Sequence, residues 1–151
     1  MKTKFAGLIC LFFLTGHMHS LAGNGPATIN QKLVKAFQDA FPLAEKVDWK
    51  ETNDYYFVHF KENNVLSEIE YDHGGNFLWS ERYYTDADLL PLHLAWELHQ
   101  KYSGKAIYGV TELNNGDDTF YFVKLEGSKD WTTVKCSADG ILEVVDKLNK
   151  Q

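Results

Sequence analysis

The chain has 151 residues, with 15 Lys and Arg against 21 Asp and Glu, a formal net charge of −6 at pH 7, and 22 aromatic side chains (4 Trp, 8 Tyr and 10 Phe). So many aromatic side chains bury enough surface to offset the entropy of the chain, which argues against a disordered protein. The acidic balance argues against a nucleic-acid partner, because phosphates require an excess of Lys and Arg. Composition therefore describes an acidic globular protein and leaves its activity open.

The first 22 residues predict a cleaved signal peptide. Lys2 and Lys4 precede an apolar run over residues 5–14, and small side chains stand at a cleavage site after Ala22. The run is shorter than the roughly 20 residues that a helix needs to span a bilayer. We therefore predict a protein exported to the periplasm or the exterior, without a membrane span in the mature chain.

The next segment is predicted to be an amphipathic helix followed by four strands. Apolar residues recur at helical spacing over residues 30–41, and Pro42 ends the run. The segments that follow alternate apolar and polar side chains and are separated by Asn, Asp and Gly residues, which is typical of tight hairpins. The strands are predicted at residues 45–52, 55–62, 65–72 and 77–84.

The remainder of the chain repeats this order. A second helix is predicted over residues 88–102, with Pro91 in its first turn. The apolar positions of the two helices coincide under a shift of 61 residues, as Leu33 and Leu94 do, and the strand patterns coincide under a shift of 65. The strands of the second half are predicted at residues 107–113, 119–126, 131–137 and 141–147.

These elements predict an α+β fold of two tandem units, each a helix followed by an antiparallel sheet of four strands. The short connections between strands exclude parallel crossovers, so each sheet is a meander. Each helix has one apolar stripe to bury and is expected to lie across the sheet of its own unit. The predicted divisions are a signal peptide over residues 1–22, a first unit over 23–84 and a second over 85–151.

Strand alternation assigns the side chains to two faces of the sheet. One parity is apolar and is predicted to pack on the helices: Val58, Phe60, Ile69, Tyr71, Phe77 and Trp79, then Val123, Leu125, Val134, Cys136, Leu142 and Val144. The opposite parity mixes charged side chains with aromatic ones. Its candidate binding residues are Tyr55, Phe57, Tyr84, Phe120, Phe122 and Trp131, with Arg82 nearby.

Aromatic side chains on a sheet face without a covering helix favour a binding surface, because exposed apolar patches are usually kept small. Two alternatives remain open. In one, the two sheets or two subunits cover part of this face. In the other, the aromatic side chains stabilise the sheet through cross-strand pairs.

The order of these motifs resembles a known family. The motifs are the end of the first helix at residues 41–44 (Phe-Pro-Leu-Ala) with Trp49, then residues 56–60 and 69–77. The pattern is similar to the PepSY-like family of β-lactamase-inhibitor-like proteins, which are secreted proteins of Bacteroidetes, in two tandem copies over residues 27–148. The second copy departs from it, since residues 102–104 stand in place of the Phe-Pro. The resemblance implies an extracytoplasmic location and no known catalytic residues, and the association of PepSY domains with restraint of peptidases supplies a hypothesis about the partner.

The sequence offers little catalytic chemistry. It contains no Gly-x-Ser-x-Gly elbow, phosphate-binding glycine loop or His-Glu-x-x-His motif. Cys136 has the parity of the core face, and His93 and Glu97 are predicted to lie on a solvated helix face rather than to bind a metal. The loop at residues 117–118 lacks the spacing of a calcium loop. We therefore predict no catalytic residues, no metal and no cofactor.

The leading hypothesis is an exported, non-enzymatic module that binds a protein or peptide through its aromatic sheet face, as an inhibitor or modulator. One alternative is a structural envelope protein that forms homo-oligomers, such as a homodimer, through the same face. A small hydrolase that acts at Cys136 or a histidine is the third hypothesis.

Overall fold

The computed structural model describes residues 29–151, and the predicted signal peptide lies outside them. Helix α1 spans Gln31–Ala40, and the side chain of Asn30 caps its first turn by accepting a hydrogen bond from the Lys32 amide at 3.0 Å. Helix α2 spans Leu92–Lys101. No helix within residues 29–151 has both the length and the apolar content needed to cross a membrane.

Eight strands follow one another as a single antiparallel meander in the order β1 to β8. Each strand pairs with the next one in the chain, and β4 pairs with β5, so both halves of the chain share one sheet. The strands are β1 (Glu45–Glu51), β2 (Tyr55–Glu62), β3 (Val65–Asp72), β4 (Phe77–Tyr84), β5 (Ala106–Asn114), β6 (Thr119–Glu126), β7 (Asp130–Ser137) and β8 (Leu142–Asn149).

The predicted strands are confirmed almost residue for residue, because the turns between them have strong local signals. Asn63 and Asn64, between β2 and β3, have φ values of 49° and 66°. Two consecutive residues with positive φ make the tight turn whose twist matches that of a hairpin, and Asn tolerates this conformation better than most residues. The coarse prediction of an α+β fold with an antiparallel sheet and two helices is confirmed, whereas the repetition of two units stays a prediction.

The second helix is shorter than predicted. Residues Ala87–Leu89 form a separate turn of 3-10 helix, and Leu90 then takes an extended conformation with ψ of 148°. A residue before proline is pushed out of the helical region by the proline ring, so Pro91 separates the two segments. Pro91 itself caps α2 instead of lying in its first turn.

Both helices pack on the same side of the sheet. Phe37 of α1 packs on Val58, Phe60 and Ile69, with its ring 5.0 Å from that of Phe60 and edge-on to it. A second small cluster under α1 joins Ile29, Leu33 and Tyr56. The larger cluster lies under α2 and comprises Val65, Tyr84, Leu90, Leu94, Leu98, Val110, Tyr121, Val123, Leu125, Val134 and Cys136. Because Val65 and Tyr84 come from β3 and β4, the core under α2 extends into the first half of the sheet.

A β-bulge in β4 overturns one core assignment. Tyr71 pairs with Phe77 but Glu70 pairs with Trp79, which leaves Leu78 as the extra residue. The bulge moves Trp79 to the face opposite the helices, where its indole N–H donates a hydrogen bond to the Glu70 carboxylate. The prediction that Trp79 packs under α1 is therefore wrong.

The core under α2 can be tested with two leucines of the same helix. Leu94 is fully buried, whereas Leu92 is 86% exposed. We expect Leu94→Ala to lower the free energy of unfolding by about 2–5 kcal/mol, because it leaves a cavity between the helix and the sheet. Leu92→Ala is the matched control and should change it by no more than about 0.5 kcal/mol. Denaturant unfolding measures both, and equal losses would contradict this packing.

Candidate functional site

The face of the sheet opposite α1 and α2, called here the outer face, carries most of the predicted binding residues. Tyr55 and Phe57 of β2 lie on it, with their rings 6.4 Å apart and edge-on. Phe120 and Phe122 of β6 and Trp131 of β7 lie on the same face, on the opposite strand parity from the buried Val123 and Val134. Tyr55 is 40% exposed, and the other four are half-buried.

Tyr84 lies on the helix side, so its predicted placement on the opposite face is wrong, and Arg82, which was predicted to lie near that face, is on the helix side as well. The bulge in β4 shifts the parity of the strand, and Tyr84 pairs with the buried Val110. Tyr84 is 1% exposed and donates a hydrogen bond to the Glu112 carboxylate at 3.2 Å, and Arg82 donates one to the same group at 3.1 Å. Burial and the Glu112 carboxylate raise the pKa of Tyr84 well above its ordinary value.

Two tyrosines that the alternation pattern did not identify belong to the outer face. A bulge in β5 between Ile107 and Gly109 turns Tyr108 outward, where it is 51% exposed. Tyr83 packs over Gly109 so closely that a Cβ at this glycine would lie 2.9 Å from the Tyr83 hydroxyl. Glycine in a strand often marks such a bulge or close approach, which is the signal that would have located both tyrosines.

Around strands β5 to β7 the outer face forms a lysine–aromatic cluster, made of Tyr108, Phe120, Lys124, Trp131, Lys135 and Lys150. The Lys124 ammonium lies 5.0 Å from the centre of the Trp131 ring and 5.8 Å from that of Tyr108. Lys135 lies 4.2 Å from the centre of the Phe120 ring. Ammonium groups at these distances are attracted to the ring faces, so the lysines are held over the aromatic surface.

The outer face of the first half is acidic. Its carboxylates include Asp48, Glu68, Glu70, Asp72 and Glu81, and its lysines are Lys50 and Lys61. His59 Nδ1 lies 2.8 Å from the Glu68 carboxylate. Partial desolvation and the Glu68 charge raise the pKa of Glu81. The second half carries Lys124 and Lys135 beside Glu126, Glu143 and Asp146, so it is closer to neutral than the acidic first half.

The remaining candidate groups are the thiol of Cys136 and the side chain of His93. Cys136 is fully buried beneath α2, as the core parity predicts. Burial, with a contribution from the Glu97 carboxylate, raises the pKa of its thiol to about 11. His93 is hydrogen-bonded through Nε2 to the Ala138 carbonyl at 3.0 Å. Within residues 29–151, no group of three or more His, Cys, Asp and Glu side chains is arranged to hold a metal ion.

An open depression of about 390 Å³ lies beside α2 on the helix side, lined by Trp96, Glu97, Gln100, Lys101, Gly140 and Leu142. Leu92 and Trp96 are exposed next to it. The apolar stripe of α2 is buried, and these two side chains lie outside it. They provide exposed apolar surface on the side of the molecule away from the outer face, which makes them a control for substitutions on that face.

The fold is found in solved structures of proteins from Bacteroides. A BLIP-like protein from Bacteroides fragilis is 18% identical, with a TM-score of 0.56 over 80% of this chain and 86% of that chain. A DUF2874 family protein from Bacteroides ovatus is 17% identical, with a TM-score of 0.57 over 81% and 88%. A Bacteroides eggerthii protein proposed to be periplasmic is 14% identical, with a TM-score of 0.56 over 80% and 88%. At these identities the likeness shows a shared fold and transfers no function.

No family model matches the chain, and no curated protein matches it. The likeness to a BLIP-like structure agrees with the β-lactamase-inhibitor-like part of the sequence resemblance. The PepSY-like part and the two tandem copies stay predictions.

The burial of Cys136 predicts that its thiol reacts slowly with thiol reagents in the native protein. A pKa of about 11, against 9.0 for an ordinary cysteine, leaves about a hundredfold less thiolate at a given pH. We therefore expect a thiol reagent to leave Cys136 unmodified in the native protein and to modify it fully in denaturant. Peptide mass spectrometry locates the label. Rapid modification of the native protein at Cys136 would contradict the buried environment and would support the hypothesis of a hydrolase that acts at this cysteine.

Proposed function

We propose that the chain is an exported, non-enzymatic binding module that holds a protein partner on the outer face of its sheet, as an inhibitor or modulator of that partner. The observation that carries the proposal is the row of aromatic side chains left uncovered on this face. Tyr55, Tyr83 and Tyr108 are each more than a third exposed. Large rigid aromatic side chains are the residues that most often dominate the binding energy of protein interfaces.

The geometry of the sheet supports a broad contact. Tyr55 and Phe57 lie on β2, and Phe120 and Trp131 lie on β6 and β7, in the same continuous sheet. Strands are about 4.8 Å apart, so this span is on the order of 20 Å, the width of a protein interface rather than of a small-molecule pocket. We infer that the partner is a protein or a peptide and that Arg82 and Tyr84 support the sheet behind it.

Export rests on the sequence of residues 1–22. The charged start, short apolar run and small residues before the cleavage site are the elements of a secretory signal. The likeness in fold to a Bacteroides eggerthii protein proposed to be periplasmic supports the same location. The hypothesis that the partner is a peptidase rests on the PepSY resemblance alone.

Alanine substitutions on the two sides of the molecule test the proposal. We expect Phe57→Ala with Phe122→Ala to abolish most capture of the partner from an envelope extract, because both rings lie on the proposed contact. These rings are half-buried, so the Tm should fall by about 5 °C or less. Mass spectrometry of the captured proteins and thermal unfolding give the two readouts.

The matched control removes exposed apolar surface from the helix side. Leu92→Ala with Trp96→Ala should capture the partner as the unmodified protein does. Equal losses of partner capture in the two double variants would show that the partner does not bind specifically to the outer face. A large fall in Tm for the outer-face variant would favour burial of these rings within the fold.

Homo-oligomerisation through the same face is the second candidate, and the exposed Leu66 and Leu148 at its margins favour it. Sedimentation of the mature protein separates the two, since the binding module is a monomer at micromolar concentration. A stable dimer that Phe57→Ala with Phe122→Ala dissociates would replace the proposed function with the structural one.

A further inference from the structure

Two lysines of the lysine–aromatic cluster form no ion pair within the described residues, although Glu126, Glu143 and Asp146 lie on the same face. Lys150 forms an ion pair with Glu126 at 2.6 Å. No carboxylate of residues 29–151 lies within 4.0 Å of the ammonium of Lys124 or Lys135. Lys135 pairs in register with Glu143 on β8, yet its ammonium lies over Phe120 instead.

The surroundings of these lysines differ from those of an ordinary solvated charge. Both side chains are half-buried, and the ammonium of each lies over aromatic surface, Lys124 over Trp131 and Tyr108 and Lys135 over Phe120. Lysines that lay their stems along an apolar surface keep the ammonium at its edge, where a ligand can reach it. A carboxylate that bound there would be surrounded by rings that exclude water, which strengthens a charge-assisted hydrogen bond.

The other half of the outer face restricts what the ligand can be. Glu68, Glu70 and Glu81 occupy neighbouring positions across β3 and β4, and their charges repel an anion. A uniformly anionic polymer that covered the whole face would be attracted by the lysines of β6 and β7 and repelled by the carboxylates of β3 and β4. A protein surface carries both signs and can place its acidic part over the lysines alone.

We propose that the lysine–aromatic cluster on β6 and β7 binds an acidic segment of the partner protein, with the segment's carboxylates on Lys124 and Lys135 and its apolar side chains against Trp131 and Phe120. This inference rests on the proposed function and adds the chemistry and the orientation of the partner. The basic or neutral part of the partner then faces Glu68 and Glu81.

The test uses a fluorescein-labelled oligoglutamate peptide and an oligoglutamine peptide of the same length, titrated into the mature protein. We expect the oligoglutamate peptide to bind, with an affinity that falls as salt is added, and the oligoglutamine peptide to bind far more weakly. Lys124→Gln with Lys135→Gln should weaken oligoglutamate binding by about tenfold or more, which corresponds to about 1.4 kcal/mol.

The matched control removes two lysines from the acidic half of the same face. Lys50→Gln with Lys61→Gln changes the net charge equally and should leave oligoglutamate binding within about twofold of the unmodified protein. Equal weakening in the two variants would show a non-specific charge effect and would overturn the inference. Failure of the peptide to bind at low salt would overturn it as well.

The partner captured from the envelope extract separates this inference from the function on which it rests. Suppose that Lys124→Gln with Lys135→Gln retains the partner while Phe57→Ala with Phe122→Ala loses it. The inference that an acidic segment binds the lysines is then wrong, and the proposed binding function is supported. If neither variant loses the partner, the proposed function is wrong. Sedimentation covers one further outcome, in which the protein is a dimer that Lys124→Gln with Lys135→Gln dissociates. The lysine–aromatic cluster would then bind the acidic half of a second copy, and the inference would also be overturned.

Discussion

The pairing of β4 with β5 is the contact on which the rest of the structure depends. It joins the strands that follow α1 to the strands that follow α2, so that one sheet of eight strands replaces two separate sheets. Tyr84 and Val110 face each other across this junction and are buried under α2. Arg82 and Glu112 pair beside them at 3.1 Å. An edge strand in the middle of the molecule would expose unpaired backbone groups, and the junction removes it.

The same junction determines which surface is left for binding. Both helices pack on one side of the continuous sheet, because the apolar strand positions of the two halves point the same way. Within residues 29–151, helices on one side leave the other side of the sheet without a covering helix. Aromatic residues on this face contact one another instead of a helix: Tyr55 contacts Phe57 within β2, and Tyr108 of β5 contacts Trp131 of β7.

Much of the fold follows from local signals in the sequence, and the errors in assigning faces concentrate at the bulges in β4 and β5. Alternation assigned Phe57, Phe122 and Trp131 to the correct face because β2–β3 and β6–β7 pair without interruption. Alternation fails in β4, where the extra residue Leu78 reverses the parity. The extra residue in β4 is a leucine, which is ordinary in a strand, so a pattern read along the chain continues across this bulge. The helix ends and the burial of single side chains likewise depend on packing that a pattern does not show.

The bulges also shape the candidate site. The bulge in β5 turns Tyr108 outward beside Trp131, with the two rings 4.9 Å apart and edge-on. Tyr108 is the extra residue of this bulge, and its outward ring lies within reach of Lys124, whose ammonium also lies over Trp131. A glycine at position 109 is required next to it, because Tyr83 occupies the space of a side chain. The bulge that alternation does not predict therefore assembles the part of the outer face where the Lys124 ammonium lies close to two aromatic rings at once.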